Sequence, residues 1–393
     1  MSRSKTILKN IGVLSIAEIL THLMSFILMV AISRFLGSAG LGKYSFAFAF
    51  IGIFAVISDL GISTFSIRSV SRDKKKAQKY FSNYLSLKII ISFITFIIPI
   101  LIILSTKEPF DVKLTVFFAS LAMTFNYLSY SFRFLFNAFE KFEYQSLSLI
   151  SERIVALIIG LFLLFNGFGV IALAITMVIS NFVGLLVNAI FAVKNFVHLK
   201  LEFDFKFWKF LLICSIPFWL SLIFRVINFG IDTVMLSFMK SYTVTGIYNA
   251  AYKLIDAFTV IPFLVVIVLF PTMSKLFKES KKTLQIVYKK SFYYLFILAL
   301  PICLGITLLA YRIIIFIYKE QFLESVIALQ ILVWALIFLF LNYLMGSLLN
   351  SINLQRLFAI ITFIGASVNI ILNFILISIY SFKGAAAATI VTG

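Results

Sequence analysis

Charged and polar side chains recur at helical intervals inside long apolar runs, and that spacing carries what chemistry the sequence offers. Ser15, Glu18, His22 and Ser25 would share one helix face, as would Asn126, Arg133 and Asn137. Two more stripes join Ser221, Arg225, Asn228 and Asp232, and then Asn249, Lys253 and Asp256. Glu18 and His22, one turn apart, could share a proton, because histidine titrates near neutrality. Asp59, Asp232 or Asp256 could equally take sodium as a coupling ion. Arg225 and Lys253 lie deepest in their runs and point to an anionic ligand; Arg133 and Arg34 are further candidates for that role. A plainer reading keeps the charges as interhelical pairs, such as Glu18–Arg225 or Asp232–Lys253.

Depth sorts the remaining charges. A full charge at the centre of a bilayer costs about 2.5–3.5 kcal/mol even on the lenient scale, so such groups must line water, pair, or reach the interface. Lys88, Glu152 and Arg153 fall within about two turns of a cytoplasmic end and are expected to snorkel. On that reading Lys88→Ala is mild.

Other chemistries find little support. Cys214 and Cys303 stand alone in apolar segments, with no CxxC spacing and no nearby histidine, so both read as packing residues. Glu320 and Glu324 share an outer loop and read as solvated acids. No catalytic residue, metal ligand or cofactor is expected. A membrane glycosyltransferase or glycan polymerase would need paired carboxylates or a nucleotide-sugar motif in a sizeable loop, and neither is present.

The elements that must position these side chains are membrane helices. Hydrophobic residues make up 62% of the 393 positions and charged residues 12%, with mean hydropathy +1.10. A soluble chain is roughly a quarter charged, so an all-α polytopic membrane protein is expected. Crossing a hydrocarbon core about 30 Å thick takes roughly 20 residues of helix. Qualifying runs are 10–33, 44–67, 83–105, 114–137, 147–166, 168–193, 209–238, 245–273, 290–316, 325–350 and 357–380, with a twelfth beginning near Gly384. The net charge of +19 sits in short loops, which suits an anionic inner leaflet rather than nucleic acid. Lysine and arginine gather at the N-terminus and around 68–82, 194–209 and 274–289, placing those stretches and the N-terminus in the cytoplasm.

The chain also echoes itself. Gly42-Lys43-Tyr44 is followed far downstream by Gly246-Ile247-Tyr248, KKAQKY (75–80) by KKTLQIVY (281–288), and FGVIALA (168–174) by FKGAAAA (382–388). Six helices separate each pair, so two parallel halves are expected, 1–200 and 201–393, with a substrate site between them as in repeat-built transporters.

The segments AISRFLGSAGLGKYSFAFAF (31–50) and ISDLGIS (57–63) resemble the opening of the polysaccharide-biosynthesis (O-antigen-type) flippase family. IDTVMLSFMKSYTVTGIYNAAYKLIDAF (231–258) and PFLVVIVLFPTMSKLF (262–277) resemble its seventh and eighth helices. That family belongs to the multidrug/oligosaccharidyl-lipid/polysaccharide (MOP) flippase superfamily. The resemblance implies two six-helix bundles, an N-lobe and a C-lobe, around a central cavity that works by alternating access. It also implies a substrate, a polyprenyl-(pyro)phosphate-linked oligosaccharide moved from the inner to the outer leaflet of the cytoplasmic membrane. Membrane lipids and a proton or sodium ion would be partners. A cation-coupled multidrug exporter is the alternative within transport. Family members complete a twelfth helix and often add two more, whereas this sequence stops at Gly393, so the last helix is expected to be truncated.

Overall fold

The structure, a computed structural model, describes residues 3–352 and 354–392, and the side chains of all these except 3–11, 217, 218, 220–229, 267, 271, 278 and 355. Among the described residues every regular element is helical. They run α1 (Arg3–Ile53), α2 (Ala55–Asp59), α3 (Ile62–Arg72), α4 (Ala77–Ser105), α5 (Phe110–Ala138), α6 (Phe142–Phe165) and α7 (Val170–Asn195). There follow α8 (Phe205–Met239), α9 (Tyr242–Phe258), α10 (Val260–Glu279), α11 (Lys281–Tyr318), α12 (Ser325–Leu332), α13 (Ala335–Ser351), α14 (Gln355–Tyr380) and α15 (Phe382–Thr392).

Nine helical stretches among the described residues are long and apolar enough to cross a membrane. The eleven expected runs map onto these nine once two facts are included. The expected first and second runs share α1, whose 51 residues would extend about 76 Å if straight. It is broken at Gly37, which adopts φ 68° and so takes a conformation that glycine tolerates without strain. The expected seventh run is α8, whose centre lies among the side chains left undescribed. The second run does not stay helical throughout: after α1 it continues as α2, is interrupted by left-handed Leu60 (φ 49°) and Gly61 (φ 74°), and resumes as α3.

The exposure pattern is that of a protein dissolved in lipid. Phe93, Leu101, Ile158 and Phe162 are well exposed, while Ser82, Asn83, Ser86, Ser148 and Asn188 are buried. Lipid tails are as apolar as leucine, so helices associate through close packing and hydrogen bonds rather than hydrophobic burial. Asn126 donates to Asn181 across α5 and α7 at 3.0 Å, and Ser148 on α6 donates to the carbonyl of Gly184 on α7 at 3.1 Å.

The chain forms two compact units, Met1–Phe35 with Ala47–Val226, and Leu36–Phe46 with Ile227–Gly393. Relative to a division at 200/201, unit 1 gains the first part of α8 and gives up 36–46. The first shift has a local cause. His198–Asp204 lies as an extended strap along α4: His198 and Gln78 exchange two hydrogen bonds (2.8 and 2.9 Å), and Glu202 N donates to Ser86 Oγ (3.0 Å). Asp204 N donates to Asn83 Oδ1 (3.1 Å), while the Asp204 carboxylate accepts from Phe207 N (3.0 Å) and caps α8. Below this strap unit 1 holds an aromatic core that includes Phe81, Phe132, Phe134, Phe136 and Trp208.

In unit 2 the segment 36–46 meets the start of α9 backbone to backbone. A Cβ on Gly42 would lie 1.7 Å from the Tyr242 carbonyl oxygen, and one on Gly246 would lie 1.9 Å from that of Ser38. Only glycine permits this approach at either position.

Candidate functional site

Each unit holds a largely enclosed aspartate, Asp59 in unit 1 and Asp232 in unit 2, and the two are compensated differently. In unit 1 Asp59 ends α2, where the left-handed residues interrupt the helix. Its Oδ1 accepts the Tyr84 hydroxyl proton at 2.6 Å and lies 3.5 Å from Lys88 Nζ. The same ammonium donates to the Ser58 carbonyl at 2.5 Å, and the rings of Tyr84, Tyr127 and Tyr130 surround it at 5.7–5.9 Å. The Lys88 side chain is 0% exposed.

Lys88 therefore does not snorkel. The helix α4 starts at Ala77 rather than near 83, so Lys88 lies about 16 Å along it, too deep for the interface to be the easy exit. Glu152 departs from the same expectation. It is buried and accepts from Arg133 Nη2 at 3.1 Å, with the two side chains 4% and 8% exposed. Gly184 makes room for it: a Cβ there would come within 2.9 Å of Glu152 Oε2. Tyr130 connects the two ion pairs, since the Arg133 guanidinium also sits 5.7 Å from its ring. Arg153 stays half-buried on α6.

In unit 2 Asp232 has no cation within ion-pair distance among the described residues. Its Oδ1 accepts from Asn373 Nδ2 at 2.6 Å, and its Oδ2 accepts from Tyr248 Oη and Thr389 Oγ1, each at 2.9 Å. The Thr389 hydroxyl also lies 3.1 Å from Tyr248 Oη and 2.9 Å from the Ala385 carbonyl. A hydroxyl carries one proton, so several oxygens here compete for few donors. Asn373 Oδ1 is buried with no hydrogen-bond partner among the described residues. Asn369, one turn earlier on α14, accepts from Asn373 Nδ2 and donates to Thr392 Oγ1. The cluster is rich in oxygen and buried around a carboxylate, which is the chemistry that takes a proton or a hard cation.

Lys253 does not pair with Asp232. Its Nζ lies 3.3 Å from Asp256 Oδ2 on the same helix, and these side chains are 44% and 29% exposed. Lys253 is about 16 Å along α9, so this exposed pair lies deep in a spanning segment. Tyr248 and Tyr252 stack beside it, with ring centroids 5.8 Å apart.

The other expected residues fall as follows. Glu18 is half-buried and His22 exposed on α1, and among the described residues they form no ion pair with each other. Arg34 is exposed near the Gly37 break. The Arg225 side chain, and with it the Glu18–Arg225 pair, lies outside the described residues. Sequence spacing missed Asn373, Thr389 and the three tyrosines around Lys88. Asn369 and Asn373 had a readable signal, two amides one turn apart in an otherwise apolar run. No group of three or more His, Cys, Asp or Glu able to hold a metal occurs among the described residues.

The fold has known counterparts. An inward-facing multidrug resistance MATE-family transporter of the MOP superfamily superposes with TM-score 0.76 at 17% identity, covering 95% of this chain and 91% of that one. The lipid II flippase MurJ, in an inward closed conformation, gives TM-score 0.77 at 20% identity, covering 96% of this chain and 84% of that one. A MOP-superfamily transporter from Pyrococcus furiosus, described as having a binding pocket of reversed polarity, gives 0.66 at 16% identity over 98% of this chain and 93% of that one. The fold is thus that of the MOP-superfamily membrane transporters. The match to the family model described as polysaccharide biosynthesis protein covers residues 7–277, and the chain belongs to that family. An uncharacterized membrane protein of Methanocaldococcus jannaschii is 30% identical over 162 residues, which are 41% of this chain and 32% of that relative; the match thus spans about a third of the relative's length.

Proposed function

We propose that this protein is a flippase that moves a polyprenyl-(pyro)phosphate-linked oligosaccharide from the inner to the outer leaflet of the cytoplasmic membrane by alternating access. Its N-terminus is cytoplasmic in this reading. The observation that carries it, together with family membership, is the half-exposed Lys253–Asp256 pair deep in an apolar helix. Lipid around such a pair would be costly, so the pair faces water, where Lys253 can meet an anionic head group while lipid tails stay in the bilayer. Arg34 and Arg225 are the further candidates for that head group. Arg133 would reach it only by leaving Glu152.

Coupling belongs at Asp232 in this reading, with sodium or a proton supplying the charge that the neighbouring oxygens lack. Asp256 already has Lys253 beside it and Asp59 has Lys88. His22 and Glu18 are the remaining proton candidates. The direct test is reconstitution in liposomes with a labelled polyprenyl-pyrophosphate glycan, reading its exposure on the far leaflet. Movement no faster than in empty liposomes overturns the proposal. The multidrug-exporter alternative draws on Asp256, a half-exposed acid that could take a lipophilic cation; it requires drug resistance on expression.

A further inference from the structure

The transport reading leaves the Lys88 cluster without a role. We propose that Lys88 is a tethered ion: its ammonium fills a binding position for a small monovalent cation, made where the second span is interrupted at Leu60–Gly61. The position has the parts such a ligand needs. The interruption leaves the Ser58 carbonyl directed at Nζ, and the adjacent Asp59 supplies the negative charge. Three tyrosine rings within 6 Å complete a cage of the kind that recognises ammonium groups through their π faces. Tyr84 donates to Asp59 and so fixes the carboxylate toward the same point.

The covalent stem from α4 makes occupancy independent of the ionic medium, because a tethered group acts at high effective concentration. Asp59 is thereby removed from the set of carboxylates that can exchange an ion. Unit 1 thus carries its counter-ion permanently. This inference stands on unit 1 geometry alone, and its test needs no transport measurement.

The purified Lys88→Ala protein is titrated with ethylammonium and n-propylammonium chloride while thermal unfolding is followed, with N-methylglucamine chloride holding ionic strength. Refilling the position should give a saturable rise in Tm of about 2 °C or more. The rise should be absent from the wild type, where the position is full, and from Lys88→Ala/Asp59→Asn, where the charge is gone. A similar rise with sodium extends the position to metal cations of the same charge. No rise above the N-methylglucamine control overturns the proposal. Should Lys88→Ala fail to fold, Lys88→Met is compared with Lys88→Met/Asp59→Asn. A stranded carboxylate makes the double variant the more stable of the two, and an equal or lower Tm in the double variant overturns the proposal.

Discussion

Arg133 and Glu152 allow the difference between a structural ion pair and a ligand site to be measured. Their closest atoms are 3.1 Å apart and both side chains are more than nine-tenths buried, so screening by water is small. At an effective dielectric of about 20 the attraction is on the order of 5 kcal/mol. Removing one partner strands the other charge between helices, which costs about 3–5 kcal/mol. Replacing both by apolar groups of similar length removes the attraction and the desolvation cost together, and such swaps are often near neutral. Arg133→Met and Glu152→Met should therefore each lower stability by about 3 kcal/mol or more, and the double variant by about 1 kcal/mol or less. The coupling energy would then be about 5 kcal/mol or more. Unfolding of the purified variants in one detergent, followed by intrinsic fluorescence, measures all four corners of the cycle. A coupling below about 0.5 kcal/mol would refute the ion-pair reasoning. Transport by a well-folded double variant would further identify Arg133 as part of the frame; loss of transport there would return it to the head-group site.

The half-exposed Lys253 should tolerate Lys253→Ala with little change in Tm, while flipping of the labelled glycan falls about tenfold or more, equivalent to about 1.4 kcal/mol of lost binding; normal flipping rates would remove it from the site. Asp232→Asn keeps the shape of its cluster but deletes the charge, so any stimulation by sodium or by an inward proton gradient should disappear, and stimulation that persists places coupling elsewhere. Gly42→Ala and Gly246→Ala each press a methyl into a backbone carbonyl, with an expected cost of about 1–3 kcal/mol. One displacement of the two segments would relieve both clashes, so the double variant should cost less than the sum; full additivity in thermal unfolding would contradict the shared contact.

What was legible depended on whether lipid, or a neighbouring helix, set the answer. Hydropathy marks a span because every residue along it meets the same solvent. It therefore located the helices, and it missed the interruption at Leu60–Gly61, where the run stays apolar but the backbone turns left-handed. Charge depth failed at Lys88 for a related reason. Hydropathy averages over a window, and it started the third span at 83, whereas polar Gln78, Ser82 and Asn83 already belong to α4 and hold the His198–Asp204 strap. The partner of each buried charge was invisible, because Lys88 and Asp59, or Arg133 and Glu152, are joined by tertiary contacts that no periodicity encodes.

The internal echo is the instructive exception. Gly42 and Gly246 occupy matching positions in the sequence echo, and they are also each other's neighbours. The contact is reciprocal: Gly42 approaches Tyr242 as Gly246 approaches Ser38, so the same sequence offset relates both partners. A contact in which i meets j and the equivalent of j meets the equivalent of i is the pattern a two-fold relation produces, and both partners here carry the same sequence offset. Such a contact requires a small residue twice over, since a side chain on either copy meets backbone on the other. The sequence echo is therefore easiest to read at this contact. It fades in the lipid-facing stretches, where many apolar residues serve equally well, and in the buried polar clusters, where Asp59 has Lys88 beside it and Asp232, among the described residues, has no cation within ion-pair distance.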